Sequence, residues 1–155
     1  YYKEKPIVTP EAIEAIKQAD LILLSMGSLY TSIIPNLLCK ELVDTIGISN
    51  AKIMYACNMM TQPGETDDFD VFDHIKTLNR YLGKRSVDIV IANNGKIDKE
   101  LINKYSVLEQ KDPVKLNKDK LKGIELIEDD FVLVEDDMIR HNSLKLAFHI
   151  FNNLL

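Results

Sequence analysis

Apolar positions along the chain switch between a helical and a strand period. Ala12, Ile13, Ile16 and Ala19 recur at helical spacing, behind Thr9 as cap, Pro10 at the first helical position and Glu11 in the first turn. Asp20 breaks that pattern. Leu21–Leu24 is then a continuous apolar run ended by Gly27, which predicts a strand buried on both faces. A loop over Ser25–Ser28 leads into a helix over Thr31–Leu38 that Pro35 bends or divides, because proline lacks the N–H and clashes with the preceding turn. Lys40–Ile46 reads as a further helix, closed by Gly47 as C-cap.

The same cycle returns twice. Lys52–Cys57 is a second strand, Asn58–Asp68 a polar loop around Pro63-Gly64, and Asp70–Leu82 a helix with Val71, Ile75, Leu78 and Leu82 inward and Gly83 as its stop. Val87–Ala92 is a third strand, Asn93-Asn94-Gly95 its turn, and Asp98–Tyr105 a short helix. Strand starts recur at intervals of about 31 and 35 residues, the length of a βα unit with its crossover. The fold class expected is therefore α/β, a parallel sheet with helices on both faces. Between Asp98 and Asp137 seven Lys and twelve Asp or Glu are interspersed, as on a solvated face. Val114–Leu116, Ile124–Ile127 and Phe131–Val134 read as short edge strands, with a small helix over Lys118–Lys122. A final helix carries Leu144, Leu146, Ala147, Ile150, Phe151 and Leu154, capped by Asn142 or Ser143.

Composition narrows the function classes. The 155 residues carry 19 basic and 24 acidic side chains, a formal charge of −5, which disfavours a nucleic-acid or anionic-membrane surface. With 46% apolar and 28% charged residues the chain is globular, and no apolar run approaches a membrane span. Cys39 and Cys57 sit in apolar stretches without metal-ligand spacing to the three histidines, which predicts reduced, buried thiols in a cytoplasmic protein. The first residue is Tyr1, residues 1–5 form a polar lead-in, and a fragment of a longer protein is expected.

Ligands of open parallel sheets bind beyond the carboxyl ends of the strands, and three polar segments fall there. In the first, Gly27 allows close approach of the backbone, while Ser28, Thr31 and Ser32 offer hydroxyls, with Tyr30 beside them, at a helix start that favours an anion. A capped helix with a tight turn explains the same residues. In the second, Asn58, Thr61, Gln62 and Thr66 are open to either ligand contact or loop structure. Glu65 and Asp67 there suit Mg²⁺ or the following helix start, and Asp68 and Asp70 suit capping. In the third, Arg140 brings a planar fork for phosphate and His141 a second donor at the start of the last helix. Ser143 is a candidate phosphorylation site at that helix start, stabilised there by the dipole and by Arg140. Gly-x-Ser-x-Gly, Cys-x-x-Cys, P-loop and Gly-x-Gly-x-x-Gly patterns do not occur in the sequence, and no metal site is expected.

Two strings are more specific than their composition. GSLYTSIIPNLL (Gly27–Leu38) and CNMMTQPGETD (Cys57–Asp67) resemble the gluconeogenesis factor (YvcK-like) family of the CofD-like superfamily, which includes 2-phospho-L-lactate transferase. IRHN (Ile139–Asn142) is similar to that family's Arg-His-Asp segment. The resemblance implies a Rossmann-like fold and a cytoplasmic bacterial protein that supports growth and cell shape on gluconeogenic carbon sources and binds nucleotide sugars such as UDP-N-acetylglucosamine. It implies self-association as well. On this reading residues 1–155 are the C-terminal part of a CofD-like domain whose preceding half, with a Gly-rich turn, is missing.

The ligand-binding set expected is Gly27, Ser28, Tyr30, Thr31, Ser32, Asn58, Thr61, Gln62, Glu65, Thr66, Asp67, Arg140 and His141. The resemblance leaves a second activity open, a transferase of the 2-phospho-L-lactate type that uses a nucleotide-activated donor with Mg²⁺ near Asp67 or Glu65. Two departures from the family pattern are Ser25-Met26 in place of Gly-Pro and Asn142 in place of Asp. The acidic residues suited to metal in the transferase are expected largely in the missing half.

Overall fold

The computed structural model describes Glu4 and residues 6–154; apart from Glu4, the polar lead-in expected over residues 1–5 lies outside the described residues. Three βα units and a fourth strand run in chain order. They are α1 (Pro10–Gln18), β1 (Leu21–Leu24), α2 (Ile34–Leu37), α3 (Lys40–Ile48), β2 (Lys52–Ala56), α4 (Val71–Asn79), β3 (Ile89–Asn93), α5 (Lys99–Glu109) and β4 (Glu125–Asp129). A hairpin, β5 (Val132–Glu135) and β6 (Met138–His141), follows, and α6 (Ser143–Asn152) closes the described fold. The sheet has the order β1-β2-β3-β4 with every pairing parallel, and the hairpin pairs antiparallel as a separate ladder.

Strand alternation divides the core. Ile53, Tyr55, Cys57, Val90 and Ala92 point to one face, where α2, α3 and α4 bring Ile34, Leu37, Ile46, Val71, Ile75 and Leu78. Met54, Ala56, Ile89 and Ile91 point to the other, under Phe131 and Leu146 of the hairpin and α6 region. Continuous apolar strands suit this arrangement, since a parallel sheet covered on both faces has no solvent side.

The helix starts follow local chemistry. Thr9 Oγ1 accepts from Ala12 N at 3.3 Å, and Pro10 takes the first turn. At α4, Asp70 Oδ1 accepts from Asp73 N while Asp73 Oδ2 accepts from Asp70 N, a reciprocal capping box. Asn142, not Ser143, caps α6, accepting from Lys145 N at 3.1 Å. At the amino end of the sheet Arg85 donates to the carbonyls of Ile46, Ser49 and Ala51, tying the end of α3 to the start of β2.

Several expectations are corrected. Among the described residues β1 is an edge strand, and Leu23 is exposed, so the strand is not buried on both faces. The helix expected over Thr31–Leu38 starts earlier and is divided as Pro35 predicts, into a π-helical turn over Leu29–Ile33 and α2, with Pro35 in the first turn of α2. Pro35 could not lie inside one continuous helix without losing a bond. Gly47 lies inside α3, which continues to Ile48 with Ser49 as its C-cap. Helix α5 runs four residues past Tyr105 to Glu109. Val114–Leu116 is not a strand: isolated bridges tie Met60 to Pro113 and Asp70 to Lys115. β6 occupies Met138–His141, for which no strand was expected, and α6 begins after it at the expected cap.

Candidate functional site

The carboxyl ends of β1 and β2 bring the first two polar segments together. Gly27 sits under Ser32, and a Cβ at position 27 would lie 3.0 Å from Ser32 Cβ, so only glycine fits without displacement. The Gly27 carbonyl accepts from Asn58 Nδ2 at 3.3 Å, across the gap between the strands. One residue on, Ser28 Oγ donates to Glu65 Oε2 at 2.6 Å and receives the Thr31 hydroxyl proton at 2.6 Å. Tyr30, Thr31 and Ser32 are exposed on the π-helical turn. A depression of about 380 Å³ runs beside Gly27 and Ser32 over Ile22 and Leu24.

Much of the second segment is used in its own fold. Thr61 is buried, donates its N–H to the Asp112 carbonyl at 2.8 Å, and accepts from Asp112 N at 2.9 Å. Thr66 is buried and its Oγ1 accepts from Gln62 N at 2.9 Å. Asp67 Oδ2 accepts from Gly64 N at 2.8 Å, which holds Gly64 in a left-handed turn at φ 75°. Asn58, Gln62 and Glu65 remain half-buried, and the side-chain carbonyl oxygens of Asn58 and Gln62 are buried with no donor.

The third segment enters through the hairpin. His141 Nε2 lies 3.3 Å from the Cys57 carbonyl, directly before Asn58. A carbonyl only accepts, so Nε2 carries the proton and Nδ1 is left as an acceptor. Burial lowers the His141 pKa, partly offset by the Cys57 carbonyl. Arg140 alternates to the other side of the ladder, exposed, with Met138 Sδ as its polar contact at 3.6 Å. Ser143 is exposed at the first position of α6. The structure thus joins Gly27, Ser28, Asn58, Glu65 and His141 in one contact chain, whereas Arg140 makes no hydrogen bond or ion pair to any of them.

Two supporting residues escaped the sequence reading. The Tyr105 hydroxyl accepts from Ile139 N at 2.9 Å and seats β6; its signal was an aromatic on the inner side of α5. Under the second loop, His74 Nδ1 meets the Tyr55 hydroxyl at 2.9 Å, and Phe69 packs edge-on against the ring. Burial pushes His74 down to about 4 despite the Asp73 and Asp70 carboxylates, and His74 Nε2 has no partner. Burial also pushes the Cys57 thiol up to about 12, so it is not a nucleophile at neutral pH. Asp70 is held near 2: burial opposes ionisation, but bonds from Lys120, Asn117 and Asp73 outweigh it. Among the described residues no group of three or more His, Cys, Asp or Glu is arranged to hold a metal ion.

Comparison with known proteins gives a consistent result. A family model described as 2-phospho-L-lactate transferase CofD matches residues 1–132. The gluconeogenesis factor of Bacillus subtilis is 42% identical over 140 residues, which is 89% of this chain and 44% of that protein. The putative gluconeogenesis factor of Thermotoga maritima is 43% identical over 150 residues, 93% of this chain and 47% of that protein. A crystal structure of a UPF0052 family member from Bacillus halodurans superposes with a TM-score of 0.87 at 40% identity, covering 92% of this chain and 46% of that one. The chain therefore spans less than half the length of these relatives.

Proposed function

The chain belongs to the 2-phospho-L-lactate transferase CofD family, and from that premise we propose that it binds a nucleotide sugar as a cytoplasmic regulatory protein of the gluconeogenesis factor type. Its role would be to support growth and cell shape on gluconeogenic carbon sources, with a UDP-N-acetylglucosamine-like ligand. The observation that carries this reading is the convergence of three segments far apart in sequence: Asn58 on Gly27, Glu65 on Ser28, and His141 on Cys57. Ligand crevices of open α/β sheets lie at that rim. No ion pair among the described residues involves Arg140, so its fork is free for a diphosphate.

A second reading is favoured by the family model itself, which is described for a transferase. In that case the crevice would hold a nucleotide-activated donor. Mg²⁺ often binds through one or two carboxylates and the substrate phosphates. Asp67 is committed to Gly64, which leaves Glu65 as the crevice carboxylate facing the first loop. Calorimetric titration with UDP-N-acetylglucosamine, beside incubation with an activated donor and a deazaflavin acceptor, separates the readings. Saturable binding without turnover supports the regulatory protein; turnover supports the transferase; neither overturns both.

A further inference from the structure

The corner where the first two loops meet is built from hydrogen-bond acceptors. A hydroxyl carries one proton, so the run from Thr31 to Ser28 to Glu65 has a fixed direction and ends on the carboxylate. Both hydroxyl protons are spent in that run. Asn58 turns its amide nitrogen to the Gly27 carbonyl, which fixes its orientation and leaves Oδ1 buried without a donor. Gln62 Oε1 is in the same condition. No ion pair among the described residues involves Glu65. An oxyanion brought to Glu65 meets a full negative charge beside two hydroxyls whose protons are already spent. A hydroxyl or an amide N–H brings the proton that these groups lack.

A nucleotide sugar has both kinds of surface. Its diphosphate only accepts at neutral pH, whereas its sugar ring carries several hydroxyl donors. We propose that Glu65 recognises the sugar, accepting hydrogen bonds from its hydroxyl or N–H groups, and that the diphosphate lies toward Arg140. This assignment rests on the nucleotide-sugar reading above and deepens it. Ser28 and Thr31 act as positioning residues, because they hold the carboxylate and do not meet the phosphate. The first loop, which the sequence marks as an anion cradle, thereby serves the uncharged end of the ligand.

The test is calorimetric titration of the chain, of Glu65→Gln and of Ser28→Ala, each with UDP-N-acetylglucosamine and with UDP. Glu65→Gln keeps the shape of the side chain but removes its charge and one acceptor. Affinity for UDP-N-acetylglucosamine should fall at least tenfold in Glu65→Gln, while affinity for UDP holds or rises. Ser28→Ala should lower the sugar-nucleotide affinity by a smaller factor with UDP binding unchanged, and Ser28→Thr should restore it. Equal losses for both ligands, or an unchanged affinity for the sugar nucleotide, overturn the assignment and leave the nucleotide-sugar reading standing. Binding of neither ligand to the unsubstituted chain overturns both.

Discussion

The loop after β2 and the hairpin β5–β6 meet at the carboxyl end of β2, yet they are built on opposite plans. In the loop, Thr61, Thr66 and Asp67 bond to Asp112, Gln62 and Gly64, and the buried pair Tyr55 and His74 lies beneath. The hairpin is mostly exposed and is anchored by the Tyr105 hydroxyl on Ile139, by His141 on Cys57, and by an ion pair of Lys104 with Asp137. Density of polar residues along a loop thus measures how much backbone it must satisfy internally. A sparse, exposed element can place the charge that a ligand meets. Three changes, taken from the largest expected effect downward, would break or sharpen this contrast.

The first is acid. Burial pushes His74 down to about 4 from an ordinary value of 6.5, so the unfolded state binds the extra proton between these pH values. Its contribution is fully present above pH 6.5 and is lost as pH falls toward 4, up to about 3 kcal/mol. The lowered His141 adds loss in the same direction. Urea denaturation at about pH 7, 5.5 and 4.5 should show this decline, and His74→Gln should flatten it. A decline of equal size in His74→Gln would place the acid sensitivity elsewhere.

The second is a crossed pair of substitutions. Arg140→Ala should weaken nucleotide-sugar binding by about 1.5–3 kcal/mol, the range for charge-assisted hydrogen bonds. Its folding stability should stay within about 0.5 kcal/mol, as for an exposed side chain. Thr61→Val should do the reverse, costing about 1–2 kcal/mol of stability by stranding the Asp112 N–H. Its affinity at a temperature where it is folded should be unchanged. Calorimetry and thermal melts on both variants decide the matter; a large affinity loss in Thr61→Val would erase the contrast.

The third and smallest concerns the hairpin turn. Asp136 and Asp137 lie at φ 48° and 58°, two consecutive left-handed residues between paired strands, where Asn-Gly is the preferred sequence. The substitution Asp136→Asn, which leaves the Lys104–Asp137 ion pair in place, should raise stability by about 0.5 kcal/mol, read as a higher melting temperature. A lowered melting temperature would mean that the turn is not the strained part of the hairpin.

How much of this was legible depended on how local the deciding force was. The caps Thr9, Asp70 and Asn142 and the inner stripe Val71, Ile75, Leu78 and Leu82 act within one or two turns, and they stand where the pattern placed them. β6 was not legible, because Met-Ile-Arg-His alternates too briefly to announce a strand and an Asp-Asp turn lacks the usual glycine. Gly47 carried a stop signal that the packing of α3 onto α1 overrode; Ser49 Oγ donates to the Ile16 carbonyl and supplies the real end. The two strings mark two loops that the structure brings into contact at the ends of β1 and β2. Composition could not say which hydroxyls face inward, since the Thr61 partner, Asp112, lies 51 residues away.

The most direct test of the central claim is a backbone-amide NMR titration of the chain with UDP-N-acetylglucosamine. Convergence of the three segments on one ligand predicts that amides of Gly27–Thr31, Asn58–Glu65 and Met138–His141 shift together along one saturation curve. Shifts confined to a different depression, such as the one of about 510 Å³ lined by Asn93, Asn94, Gly95 and Lys118, would contradict it.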